Sequence, residues 1–151
     1  MPDATDRRIL RQLLADPDQP SSQLAERAGV TPATLWRRLE KLRESGTIAS
    51  QQILIDWRRL GYEVEVSLRF TLDKTNPRAF DEFTAAARDV PEVIEIQTFL
   101  GSVDFRLSVI ARDMAHWQQL YREQILTLPH VETSDALMLV STIKNSVELP
   151  L

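Results

Sequence analysis

The hydrophobic period of this chain changes once, near residue 62, and one type of element cannot accommodate both parts. Before that point apolar residues recur at helical spacing. Ile9, Leu10, Leu13 and Leu14 make one stripe, Leu24, Ala25 and Ala28 a second, and Leu35, Leu39 and Leu42 a third. After it, Val64, Val66, Leu68 and Phe70 alternate with Glu63, Glu65, Ser67 and Arg69, as in a strand with one buried face. A chain of 151 residues is long enough for two small domains. The expected division is 1–47, a strand-and-hinge linker at 48–61, and 62–151.

Punctuation in the first part supports three short helices. Asp3, Thr5 or Asp6 can cap the first, and Asp16-Pro17-Asp18 stops it. Ser21 or Ser22 is expected to cap the second, which Ala28-Gly29 ends. Thr31 caps the third, with Pro32 at its first position, where a missing N–H costs nothing. Gly46 can take the left-handed conformation that ends it. Two helices joined by a tight Gly-containing turn have the outline of a helix-turn-helix. Ile48, Ile53 and Ile55 then read as a short strand or hairpin.

The third helix carries Arg37, Arg38, Lys41 and Arg43. With its leucine seam inward, a 3.6-residue period puts Thr34, Arg37 and Lys41 on the far side, with Ala33 and Glu40 beside them. Arg38 lies at one flank and Trp36 at the other, at the edge of the small core. A helix with a small and basic outer face fits a major groove about 12 Å wide. Arg37 and Lys41 are placed for guanine edges or phosphates, and Arg38 for phosphate. The expected DNA contacts are Ser22, Thr31, Ala33, Thr34, Trp36, Arg37, Arg38 and Lys41. A solvated helix face is the plainer reading of such charges; the two shorter helices and the tight turn argue against it. Net charge is −4, yet residues 1–60 hold 10 Lys and Arg against 8 Asp and Glu, while residues 61–151 hold 8 against 14. Placement of charge, not bulk charge, must carry any DNA binding.

In the second part, helical spacing at Phe80, Phe83, Ala86 and Ala87 follows the first strand. Val93, Ile94, Ile96 and Phe99 read as a second strand, and Phe105, Leu107, Val109 and Ala111 as a third. Met114, Trp117, Leu120, Tyr121, Ile125 and Leu128 read as a helix, and Val131 to Ile143 as a last strand. The order βαββαβ is ferredoxin-like. The expected class is α+β: an N-terminal helix-turn-helix, winged-helix-like domain and a C-terminal ferredoxin-like sandwich. A four-stranded sheet with helices on one face leaves the other open. Val64, Val66 and the apolar Ala136–Val140 stretch lead us to expect sheet-to-sheet association of two copies.

The order of several short patterns resembles the leucine-responsive regulatory protein (Lrp/AsnC) family of transcription regulators. They are Asp6 with Ile9-Leu10, Leu24-Ala25-Glu26, Thr31-Pro32 with Arg38 and Leu42, Gly46 with Ile48, and Leu60-Gly61. Val90-Pro91-Glu92-Val93, Gly101-x-x-Asp104-Phe105 and Leu128-Pro129-His130-Val131 follow. The resemblance covers nearly the whole chain. It implies double-stranded DNA as partner, a homodimer, and higher rings such as an octamer. It also implies a small amino-acid effector at a subunit interface and no other cofactor. Gly101, Ser102, Val103, Asp104 and Phe105 would form that site, Asp104 meeting the ligand's ammonium and backbone N–H groups near Gly101 its carboxylate. Thr133 and Ser134 would add hydroxyls from the neighbouring subunit. Read alone, Gly101–Asp104 is a hairpin turn, with Gly for positive φ and Asp for a local backbone bond. The family commonly has an acidic and an aromatic residue where this chain has Ser102 and Val103, which implies a different ligand or none.

Other classes fit less well. The two histidines, His116 and His130, have no acidic partners at metal-ligand spacing, and no serine has the surroundings of a nucleophile. A few relatives are haem-pathway decarboxylases, but no histidine- and arginine-rich stretch supports that activity. An architectural, chromatin-like DNA binder would show steep salt dependence with little sequence preference. The absence of cysteine excludes disulfides and thiolate metal sites. No stretch approaches the roughly 20 apolar residues that span a bilayer, and a cytoplasmic address is expected.

Overall fold

The computed structural model describes residues 1–145 and 149–151. It forms two compact units, Met1–Leu54 with Ile143–Leu151, and Ile55–Thr142. The division between them falls inside the expected linker, 48–61, and the last residues group with the helices. Ser146, Val147 and Glu148, part of the expected 62–151 domain, lie outside the described residues.

The first unit holds α1 (Ala4–Ala15), α2 (Ser21–Ala28) and α3 (Pro32–Glu44). Asp3 and Asp6 close a reciprocal capping box on α1: Asp6 N–H donates to Asp3 Oδ1 at 2.8 Å and Asp3 N–H to Asp6 Oδ2 at 3.0 Å. Ser21 and Ser22 lie inside α2, and Pro20 precedes it without a side-chain cap, so neither serine has its expected role. Gly29 ends α2 in the left-handed region (φ 66°), and Val30 N–H closes the turn on Ala25 C=O at 2.9 Å. Ile9, Leu24, Ala25, Ala28, Leu35 and Leu39 form the core. Leu10 and Leu14 line an apolar groove of about 830 Å³ with Ile48, Ile53, Leu149 and Leu151.

The strand expected from Ile48 to Ile55 does not form. Ile48 packs against the helical core, whereas Ile53, Leu54 and Ile55 are 92%, 82% and 67% exposed with no partner strand among the described residues.

The second unit opens with a 3₁₀ turn, Trp57–Leu60. It then runs β1 (Val64–Leu72), α4 (Ala79–Arg88), β2 (Val93–Thr98), β3 (Phe105–Ala111), α5 (Met114–Leu120) and β4 (Val131–Met138). The sheet order is β2-β3-β1-β4, with antiparallel pairing throughout. That is the expected βαββαβ arrangement. One turn of π-helix, Tyr121–Ile125, continues α5. β4 stops at Met138 instead of reaching Ile143, although Leu139 N–H still bonds Glu65 C=O at 2.9 Å.

Alternation sets the faces. Val66, Leu68, Phe70 and Leu72 of β1 join Phe105, Leu107 and Val109 of β3 in a core with Phe83, Ala87, Trp117 and Leu120 from the helices. Phe83 packs between Phe70 and Phe105, its ring centroid 5.1 and 4.7 Å from theirs. Val64 and Val66 therefore belong to the helix-covered face and do not contribute to the apolar open face expected from them. By the strand register, that open face carries Glu65, Ser67, Arg69 and Thr71 of β1 and Arg106, Ser108 and the apolar Ile110 of β3. Glu95 and Gln97 of β2 and Thr133, Asp135 and Leu137 of β4 complete it.

Candidate functional site

The first candidate surface is the outer side of α3. Thr31 is the N-cap, its Oγ1 accepting the Thr34 N–H at 3.2 Å while donating to Thr34 Oγ1 at 2.9 Å. Burial of Leu35, Leu39 and Leu42 then sets the helix rotation. Ala33, Trp36, Arg37, Glu40 and Lys41 are exposed and Thr34 is half-buried. Ser22 is exposed in the first turn of α2. Arg37, Lys41 and Arg43 have no ion-pair partner among the described residues. Trp36 departs from its expected place at the core edge. Leucines close the core without it, and its indole is 66% exposed on the same outer side.

Arg38 is a second correction. In place of an outward, phosphate-facing side chain, its Nη1 lies 2.7 Å from Asp3 Oδ2 and 2.7 Å from Asp6 Oδ1. Its side chain keeps 25% of its exposure. The Arg38 guanidinium first, and the Asp6 backbone N–H second, hold the Asp3 carboxyl at about 2, below its ordinary 3.8. The same contacts, Asp3 before Asp6, raise Arg38. Asp6 stood out in the sequence as a cap, but its bond to a residue 32 positions away had no local signal.

The second candidate surface is the turn between β2 and β3. Gly101 takes φ 149°, accessible to glycine at little cost. Gly101 and Ser102 are exposed and Val103 is half-buried. Asp104 is 4% exposed, and its carboxylate is already engaged. Oδ2 accepts the Leu72 N–H at 2.9 Å, and Oδ1 lies 3.1 Å from Lys74 Nζ. Its own N–H donates to Phe70 C=O at 2.9 Å. Asp104 thus fastens the turn to the end of β1, and the expected ammonium contact gives way to Lys74 and a backbone N–H. Phe105 lies in the core, 1% exposed. Thr133 and Ser134 are exposed on β4, where the Thr133 hydroxyl bonds that of Thr71. β1 separates them from β3, so two strand spacings, roughly 10 Å, part them from the turn within one chain. Lys74 was missed in the sequence because nothing local ties a lysine after β1 to a turn 30 residues on.

Both histidines are held by protein groups. His116 Nδ1 accepts the Arg112 N–H at 3.1 Å, and its Nε2 is 3.6 Å from Glu92. His130 Nε2 is 2.5 Å from Glu82 Oε2. Among the described residues no three His, Asp or Glu side chains converge as a metal site. No helix there is long and apolar enough to cross a membrane.

A three-helix reading unit joined to a ferredoxin-like unit defines a class of two-domain DNA-binding regulators, and comparison with known proteins identifies which. The Lrp/AsnC ligand-binding domain matches residues 65–149, and a winged helix-turn-helix DNA-binding domain matches residues 2–49. The proline dehydrogenase transcriptional activator of Rhodobacter capsulatus is 32% identical over 134 residues, 89% of this chain and 87% of that protein. The leucine-responsive regulatory protein of Salmonella typhimurium is 28% identical, over 97% of this chain and 90% of its own. Among solved structures, an AsnC family transcriptional regulator from Agrobacterium tumefaciens is 28% identical with a TM-score of 0.85, covering 98% of this chain and 96% of that one. A transcriptional regulator from Neisseria meningitidis, solved as its L-methionine complex, shares the fold at a TM-score of 0.89 and 24% identity, with the same coverage. The chain belongs to the Lrp/AsnC family of transcriptional regulators.

Proposed function

We propose that this regulator reads double-stranded DNA through the outer side of α3. Ala33 and Thr34 permit close approach, Arg37 and Lys41 meet bases and phosphates, and Ser22 and Thr31 meet the flanking backbone. Trp36 lies against sugar or a thymine methyl group. The observation that carries this reading is the exposed set Trp36, Arg37 and Lys41, with both cations outside any ion pair among the described residues. Fluorescence anisotropy on duplexes selected by the wild-type chain from a randomised pool tests it. The Arg37→Ala/Lys41→Ala double variant should lose roughly tenfold or more in affinity, with a shallower salt dependence. Equal binding to selected and random duplexes would point to an architectural DNA binder instead.

The second unit acts as the effector-responsive and pairing module of a cytoplasmic homo-oligomer, and no reaction is assigned to it. An amino acid, the class of ligand in the Neisseria complex, is the proposed effector. Backbone groups at Gly101 and Ser102 would hold its carboxylate, and Thr133 and Ser134 of a neighbouring copy would supply hydroxyls. Because Asp104 is engaged, the ammonium group must find another acceptor. Calorimetric titration with each common amino acid tests this, and heat from none of them would remove the effector. Any ligand acts only through its different affinity for two arrangements of the subunits.

A further inference from the structure

We propose that Arg38 is a positioning residue of the reading helix, fixing α3 against the N-terminus of α1 without touching DNA. The inference rests on the DNA-reading role of α3. Its basis is a closed network in which every carboxylate oxygen of Asp3 and Asp6 is used. Asp3 Oδ1 accepts the Asp6 N–H and Asp6 Oδ2 the Asp3 N–H, which leaves Asp3 Oδ2 and Asp6 Oδ1 for Arg38 Nη1, both at 2.7 Å. The capping box fixes the two acids, and the acids fix the guanidinium. Among the described residues, no other side-chain hydrogen bond or ion pair ties α1 and its cap to α3. What remains between them is apolar contact through Ile9, Leu35 and Leu39, which has no strong directionality. The charge-assisted bonds supply the direction that packing of this small core lacks.

The same geometry makes Arg38 a poor phosphate ligand. Reaching a phosphate would break two charge-assisted bonds and bring that phosphate towards two carboxylates. Arg37 and Lys41 face outward with no such restraint. Adjacent arginines on one helix thus do different work, one directed at DNA and the other at the helix that carries the reader.

Arg38→Met, Asp6→Asn and the double variant test this by anisotropy on a selected duplex and a random one, across a salt series. Measurements are made where circular dichroism shows each variant folded. Asn at position 6 keeps an acceptor for the Asp3 N–H, so the cap survives while the charge is lost. Positioning predicts that both single variants lose about tenfold on the selected duplex and little on the random one. The logarithmic salt slope should be unchanged and the double variant no worse than the weaker single. A phosphate contact predicts the opposite. Arg38→Met would flatten the slope by about 0.9 and weaken both duplexes alike, while Asp6→Asn, by freeing Arg38, would tighten binding. Either result overturns the proposal. So does a lowered melting temperature with the selected-to-random ratio intact, since that is stability alone. If Arg38→Met does not fold, the sign of the Asp6→Asn effect decides. Failure of the wild type to enrich any duplex removes the DNA-reading role and this inference with it, whereas enrichment with unaltered variants removes only the inference.

Discussion

At the scale of residues, ionic partners separate what the sequence leaves alike. Arg37 and Arg38 are neighbours of one type, and helical period assigns each a direction but no partner. Asp3 also yields a pH prediction. Its folded-state value of about 2 lies below the unfolded 3.8, so its pairing stabilises the fold fully above the unfolded value. That contribution fades as pH falls from about 4 towards 2. The melting temperature should therefore drop in this window, by less in Asp3→Asn. Equal drops in the two proteins would mean that the pair adds nothing to stability. The Asp73 carboxyl is also held below its ordinary value, by the Thr75 hydroxyl and then its N–H, and it too loses stabilisation in acid, so the variant and not the wild-type curve isolates Asp3.

At the scale of elements, the period gave the three N-terminal helices and the βαββαβ order from Val64 onward, because burial of one face is written into each of those segments. It did not give where pairing ends. Leu139, Val140 and Ile143 keep an apolar character past Met138, yet β4 lies at a sheet edge beside β1 alone, and regular pairing stops at Met138. Ile53 to Ile55 has strand-like composition but no partner strand among the described residues, and without a partner the composition makes no strand. Asp104 shows a similar limit: turn chemistry predicted a local bond, and the bond made is to Leu72, 32 residues away. Asp104→Ala leaves that N–H buried and unpaired, and should cost about 1–3 kcal/mol in urea unfolding. Asp104→Asn retains an acceptor and should cost less. Lys74, 65% exposed, should matter by less than about 1 kcal/mol when changed to Ala. A neutral Asp104→Ala would mean that the carboxylate has no such structural role.

At the scale of the whole molecule, a pairing of copies through the open sheet face would be largely polar in character, with Ile110 and Leu137 its apolar members. Arg69 stands directly opposite Arg106 across β1 and β3, an unfavourable match within one sheet. Arg106 is 3.2 Å from Glu95 on one side, and Asp135 faces Arg69 from β4 on the other. A second copy turned by a two-fold axis can bring its own acids over this arginine pair, and charge complementarity would then take much of the part that an apolar patch was expected to play. Such an interface has a signature opposite to an apolar one. Association should weaken as salt rises from about 0.05 to about 0.5 M, where screening shortens to a few ångströms, whereas an apolar interface would hold or strengthen. Asp135→Lys places a third positive charge in the row and should shift sedimentation velocity towards monomer at low salt. Added salt should then partly restore pairing by screening the repulsion. A dimer indifferent to both salt and Asp135→Lys would mean that the copies meet elsewhere, and the exposed apolar residues Ile53, Leu54 and Ile55 would become the surface to change next.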